Sequence, residues 1–201
     1  MDLEFVDYPI LTKERLELTK EYAKRHYNIN TYYMHKPTMI ILHYSALSSI
    51  DLTLYAFKPS VLPFHRTKLT THGLVNVGVH FVIDYNGTIY KLLPITVMGR
   101  HAVGYNHLSI GIENVGTNHK ELTEEQINAN VKLIYYLTQK YPSIEFLFGH
   151  LEYMNIRYPH YKYYTAYDKT YEPPIKIDPG WDFMRVVRSR LSGKYNISLK
   201  R

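Results

Sequence analysis

Two histidines and one aspartate stand where buried segments end. His43 closes the apolar run Met39-Ile40-Ile41-Leu42, and His150 follows Gly149 after the apolar run 144–148. Asp178 lies in the segment Lys176-Ile177-Asp178-Pro179-Gly180. Two imidazoles and a carboxylate are the donor set of a catalytic zinc site, where three protein ligands leave the fourth tetrahedral position open. If the three meet in space, the chemistry is metal-dependent hydrolysis. Lys176 precedes Asp178 by two residues. In an extended segment such residues share a face, so ammonium and metal would enter one cavity. A fixed cation there stabilises the oxyanion of a carbonyl turning tetrahedral.

The elements that carry these groups follow from local pattern. A charged, helix-favouring stretch runs from residue 11 to about 27, with Leu16, Leu18, Tyr22 and Ala23 toward the domain. Residues 1–11 read as irregular. Residues 38–43 read as a buried strand, and 45–78 as loops with at most a short helix. Segments 79–84 and 88–93 flank Tyr85-Asn86-Gly87, and Asn-Gly predicts a hairpin with a type I′ turn. Residues 109–115 form another strand. Thr123-Glu124-Glu125-Gln126 is a capping box opening a helix to about residue 141, with Ile127, Val131, Ile134 and Leu137 on one stripe. A short strand over 144–148 and a last helix over 181–191 complete the pattern. The expected fold class is α/β: a single domain with a mixed central β-sheet flanked by helices. Residues 1–35 are expected as an N-terminal helical extension packed on a domain spanning 36–201.

Composition narrows the function classes. The 201 residues allow one full core. No run approaches the ~18 to 20 apolar residues of a membrane span, so no integral membrane segment is expected. Cysteine is absent, which excludes disulfides and thiolate ligands and leaves His, Asp and Glu to hold a metal. The net charge of +6 favours anionic partners: nucleic acid, anionic lipid or an acidic cell-wall polymer. No dense basic block or nucleic-acid motif is present, so a nucleic-acid partner is not expected. Tyrosine is abundant, at 21 residues. It suits a carbohydrate or peptide groove, although AT-rich coding produces the same excess.

Several motifs occur in a telling order. His43 stands at a strand end. Val79-His80-Phe81-Val82-Ile83-Asp84 with Asn86-Gly87 comes next, then Arg100-His101-Ala102-Val103-Gly104, and Asn106 ahead of Ser109-Ile110-Gly111-Ile112-Glu113. Gly149-His150 and Lys176-Ile177-Asp178-Pro179-Gly180 close the series. Over roughly residues 36–190 this resembles the zinc-dependent N-acetylmuramoyl-L-alanine amidases. Their type-2 amidase superfamily includes phage T7-type lysozymes and peptidoglycan recognition proteins. The resemblance implies one Zn²⁺ per chain on His43, His150 and Asp178, with Glu113 as general base and Lys176 as oxyanion support. It implies hydrolysis of the amide between N-acetylmuramic acid and L-alanine, in peptidoglycan or a muropeptide, by a monomer.

His101, within Arg100-His101-Ala102-Val103-Gly104, resembles part of a family segment that faces the substrate cleft, and Asn106 follows it. Both are candidate substrate contacts, and Asn106 alternatively orders the loop before Ser109. His80 reads as a strand residue. Three features depart from parts of the family. Asp178 stands where many members carry cysteine, which sides with the bacterial Asp-ligand branch. Val79 replaces a tyrosine that some members use near zinc, and valine donates no hydrogen bond. The interval from His150 to Asp178 is long and holds Tyr158, His160, Tyr161, Tyr163, Tyr164, Tyr167 and Tyr171. It is expected either as a surface loop or as an aromatic wall, with Tyr164 among its substrate contacts. The alternatives are a non-catalytic peptidoglycan-binding module, or a zinc amidase acting as a lysin or toxin on other cells. A wall substrate implies a periplasmic or extracellular protein whose leader has been removed, with a cytoplasmic enzyme recycling wall fragments as the alternative.

Overall fold

A computed structural model describes residues 3–201. Six strands form one sheet: β1 (Val6–Asp7), β2 (Met39–Tyr44), β3 (Phe81–Ile83), β4 (Ile89–Lys91), β5 (Ser109–Asn114) and β6 (Phe146–Gly149). Their order across the sheet is β1-β4-β3-β5-β2-β6. Only β3 and β4 pair antiparallel; the other neighbours run parallel. With five helices around it, this is the expected single α/β domain on a mixed sheet.

The two faces of β2 follow from its alternation. Ile40 and Leu42, with Ile110, Ile112 and Leu147, pack under α4 (Glu124–Lys140) and α5 (Trp181–Tyr195). Leu133, Ile134 and Leu137 of α4 meet Met184, Val187 and Leu191 of α5 there. Met39 and Ile41 face the other way, against Phe146, Phe148, Tyr105 and Tyr153. His43 continues this second row, so it opens on the side that α4 and α5 leave free. The capping box is formed: Thr123 accepts from the Gln126 N–H while Gln126 accepts from the Thr123 N–H.

The first helix, α1 (Lys13–Tyr27), is capped by the Thr12 hydroxyl accepting from Arg15 N–H at 3.0 Å, and ends at Asn28 in the left-handed region. Its inner face, Tyr22, Ala23 and Tyr27, packs on Val75 and Met98. Arg15 is buried without a carboxylate; its guanidinium donates to the carbonyls of Phe57, Pro59 and Asn76.

The sequence expectations need correction at several points. Within the irregular stretch 1–11, Val6 and Asp7 form the edge strand β1, parallel to β4; both are exposed, so no apolar alternation marks them. Segment 45–78 holds two helices, α2 (Ile50–Phe57) and α3 (Thr67–Thr70). The hairpin is present but its turn is not type I′: Gly87 has φ +83° while Asn86 does not enter the left-handed region. Gly87 N–H donates to Asp84 O, and Asp84 N–H to Thr88 O, the three-residue loop with a bulge that also calls for glycine at its last position. Finally, α5 runs to Tyr195 because its polar last turn is still hydrogen-bonded and closes on Asn196.

His80 is a fully buried core residue rather than a ligand. Its Nδ1 accepts from Gly111 N–H at 3.0 Å and its Nε2 donates to Val97 O at 2.9 Å. Burial lowers its pKa from 6.5 to about 4. Above pH 6.5 both folded and unfolded chains hold it neutral. As pH falls from 6.5 toward 4, the unfolded chain takes up a proton that the folded chain refuses, so stability declines across that window. The shift corresponds to at most about 3 kcal/mol. Thermal melts between pH 7 and 4.5 should show this decline, and His80→Gln should show a shallower one. Identical slopes would contradict the assignment.

Candidate active site

β5, β2 and β6 are parallel neighbours, so their C-terminal ends lie along one rim, where sites in parallel sheets are built. His43 lies near the end of β2 and is the register partner of Glu113 on β5. His150 is the first residue beyond β6. Asp178 arrives on a separate segment, tied in by Leu151 N–H donating to Asp178 O at 2.8 Å. Gly149 permits this approach: a Cβ there would stand 2.6 Å from Leu151, 2.8 Å from Pro179 and 3.0 Å from Met184.

The three side chains converge. His43 Nδ1 and His150 Nδ1 are 3.0 Å apart, and Asp178 Oδ2 lies 3.1 Å from the first and 3.2 Å from the second. An ion bound at about 2.0–2.1 Å in tetrahedral geometry separates its ligand atoms by about 3.3 Å. The donor set is therefore spaced for such an ion, and it is the one group of metal-ligating side chains found among the described residues. All three are shielded from solvent: side-chain exposure is 4% for His43, 9% for His150 and 14% for Asp178.

The charges around this point are shifted by burial and by one another. Burial lowers the His150 pKa to about 4, with His43 acting in the same direction. Burial alone would raise Asp178, but hydrogen bonds from His150 and His43 hold it well below the usual carboxylate range. Burial pushes Glu113 up to about 7, with Asp178 adding and His43 and Lys176 opposing. Lys176 thus acts on both Glu113 and His150. The segment alternates: Ile175 and Ile177 are 96% and 64% exposed, whereas Lys176 and Asp178 between and beyond them are partly covered.

Supports not visible in the sequence hold these groups. Asn114 Nδ2 donates to His43 O at 3.0 Å, and Asn130 of α4 donates to Asn114 Oδ1 at 2.7 Å. Glu152 ends the 3-10 turn that carries His150. Fully buried, it accepts from Gly149 N–H at 2.9 Å and pairs with Arg188 of α5, which also donates to Leu147 O. Breaking a buried pair by removing one partner costs about 3–5 kcal/mol. Glu152→Ala should lose that much in chemical denaturation, and a loss under about 1 kcal/mol would contradict the pairing.

The expected substrate contacts are placed differently from one another. His101 is partly buried, with Nδ1 3.1 Å from His43 Nε2. Asn106 is fully buried with both amide ends engaged inside the protein, so it orders its loop and does not reach the cleft. Tyr164 packs its ring over Gly104 and Tyr105 and stacks with Tyr161.

The long interval before Asp178 is a strap whose aromatic residues divide between packed and exposed positions. His160 is fully buried and stacks on Phe148 at 3.9 Å. Tyr171 packs edge-on to His26 and His72. Asp168 pairs with Arg25 of α1 and with His72. Tyr163 and Tyr167 keep 38% and 57% exposure. A wide cavity of about 730 Å³ opens elsewhere, at the β1 edge, and none of His43, His150 and Asp178 lines it.

The family described as N-acetylmuramoyl-L-alanine amidase matches residues 33–180. The endolysin of Escherichia phage T7 is 46% identical over 44 residues, which is 22% of this chain and 29% of the endolysin. Peptidoglycan-recognition protein SC2 of Drosophila simulans is 35% identical over 71 residues, 35% of this chain and 37% of that protein. The match thus spans 29% of the endolysin's length and 37% of the recognition protein's. The N-acetylmuramoyl-L-alanine amidase LysC from Clostridium intestinale URNW superposes with a TM-score of 0.55 at 20% identity, covering 98% of this chain and 100% of that one. At that identity the likeness is one of fold.

Proposed function

Because this chain belongs to the N-acetylmuramoyl-L-alanine amidase family, we propose that it is a zinc amidase of peptidoglycan or its fragments. It hydrolyses the amide joining the lactyl group of N-acetylmuramic acid to L-alanine of the stem peptide. The observation that carries this reading is the convergence of His43 Nδ1, His150 Nδ1 and Asp178 Oδ2 at strand ends beside Glu113.

His43, His150 and Asp178 would hold the zinc, which when bound would supply Lewis acidity toward the carbonyl and would bring the pKa of water to about 7. Glu113 takes the proton from the attacking water and delivers it to the departing alanine nitrogen. Its carboxyl is buried and its residue is the register partner of His43, which places it beside the donor cluster for both transfers. Lys176 faces the same space and balances the negative charge that grows on the carbonyl oxygen. Asp178 stays anionic and His150 neutral, the protonation states a ligand needs. The products are a free lactyl carboxylate and a free alanine amine.

A peptidoglycan substrate is consistent with the family and with the basic net charge of +6. No helix among the described residues is long and apolar enough to cross a membrane. Action on the wall supports a periplasmic or extracellular location, which fractionation of producing cells would test. With all three ligand positions filled, cleavage is favoured over binding alone.

Exhaustive chelation should abolish release of L-alanine-terminated peptides from purified wall, and stoichiometric Zn²⁺ should restore it. Full activity in protein shown by elemental analysis to be metal-free would reject the mechanism.

A further inference from the structure

His43 presents Nδ1 to the donor cluster, so its remaining proton must sit on Nε2. That nitrogen points at His101 Nδ1, 3.1 Å away. The bond needs His101 Nδ1 as acceptor, which places the His101 proton on Nε2. That nitrogen in turn has Ser109 O and Ser109 Oγ at 3.4 Å. One strand carbonyl therefore orders two imidazoles in series. The two rings stand edge to face, 5.2 Å between centroids. The space His101 occupies exists because β5 carries glycine beneath it: a Cβ on Gly111 would lie 2.7 Å from the ring.

The loop bearing His101 is itself held from α1. Asn106 Oδ1 accepts from the N–H groups of His101 and Ala102 at 3.0 and 2.7 Å. Asn106 Nδ2 donates to Tyr22 Oη at 3.0 Å. The neighbouring Arg100 guanidinium lies over the Tyr22 ring at 4.9 Å while donating to three carbonyls. Tyr22 is 1% exposed and belongs to α1, outside the residues that match the family.

We propose that His101 is a positioning residue that fixes the tautomer and ring plane of the ligand His43, and that Tyr22 of the N-terminal helix holds His101 in place. The inference rests on the metal reading of the site. It assigns α1 a role in metal affinity as well as in packing. Partners of this kind typically contribute 10- to 100-fold, on the order of that range, to metal affinity.

The test is the Zn²⁺ dissociation constant, measured by chelator competition on the full chain, with circular dichroism confirming the fold of each variant. His101→Ala should bind Zn²⁺ about 10- to 100-fold more weakly. His101→Asn puts an acceptor oxygen where Nδ1 stands and should recover most of that loss. Tyr22→Phe, which removes one hydroxyl, should weaken binding by roughly several-fold. Wild-type affinity in His101→Ala, or equal loss in the Ala and Asn variants, would overturn the hydrogen-bonding role. Unchanged affinity in Tyr22→Phe would overturn the role of α1. Failure of the wild-type protein to bind Zn²⁺ would instead reject the metal site, and this proposal with it.

Discussion

Asp178→Ala should purify with little zinc and lose amidase activity by about 10⁴-fold, since the Lewis acid and the acidified water it supplies, each worth several kcal/mol, go together. The reason lies in the donor geometry. Asp178 Oδ2 is within 3.2 Å of both imidazole nitrogens, so its removal takes the one carboxylate out of the donor cluster and leaves two imidazoles facing an opened cavity. The fold should survive. Asp178 contributes its backbone carbonyl to Leu151 N–H, which alanine retains. Elemental analysis and a melt read the two halves separately. Full zinc occupancy in the variant would show that Asp178 is not a ligand. Unfolding would show that its side chain is structural.

Glu113→Gln should lower kcat by about 10²- to 10⁴-fold while zinc content and melting temperature stay near wild type. Glutamine keeps the volume of a buried side chain that is 8% exposed. It also removes a carboxyl that burial raises to about 7 and that Asp178 pushes the same way. KM should change little, because the group works on a proton and not on substrate affinity. The variant is then a tool: it should bind wall without cutting it. A wild-type protein that behaved in the same way would favour the binding-module reading. Undiminished kcat in Glu113→Gln would move the proton transfer to another residue.

The convergence of His43, His150 and Asp178, a group that could hold a metal ion, is legible in the sequence because each member ends or follows a segment with its own signature. His43 follows four apolar residues of a buried strand, and His150 follows the strand that pairs with it. Asp178 alternates with Ile175 and Ile177 on an extended segment, and that period-two pattern is what sets Lys176 and Asp178 apart from the exposed isoleucines. The capping box at Thr123 is equally local.

What sequence does not show depends on contacts between distant segments. His101 and Asn106 lie five residues apart, but only the fold shows that one reaches His43 and the other is spent inside its loop. Glu152 reads as an ordinary polar residue until α5 brings Arg188 to it, 36 positions later. The tyrosine-rich stretch carries no marker of direction, so the stacking of His160 on Phe148 and the pairing of Asp168 with Arg25 could not be read from it. Asn86-Gly87 marks a hairpin correctly. It does not choose between two turns that both want glycine at the same place. Strand β1 is too short and too exposed to leave a pattern.

The most direct measurement is digestion of purified peptidoglycan in ¹⁸O-labelled water, with products located by mass spectrometry. The account predicts stem peptides with a free L-alanine amine and muramic acid residues carrying one ¹⁸O in the lactyl carboxylate. Both should be absent after chelation, and with Glu113→Gln they should form about 10²- to 10⁴-fold more slowly. Cleavage at a glycosidic bond or within the stem peptide, or label-free lactyl groups in zinc-loaded digests, would contradict it.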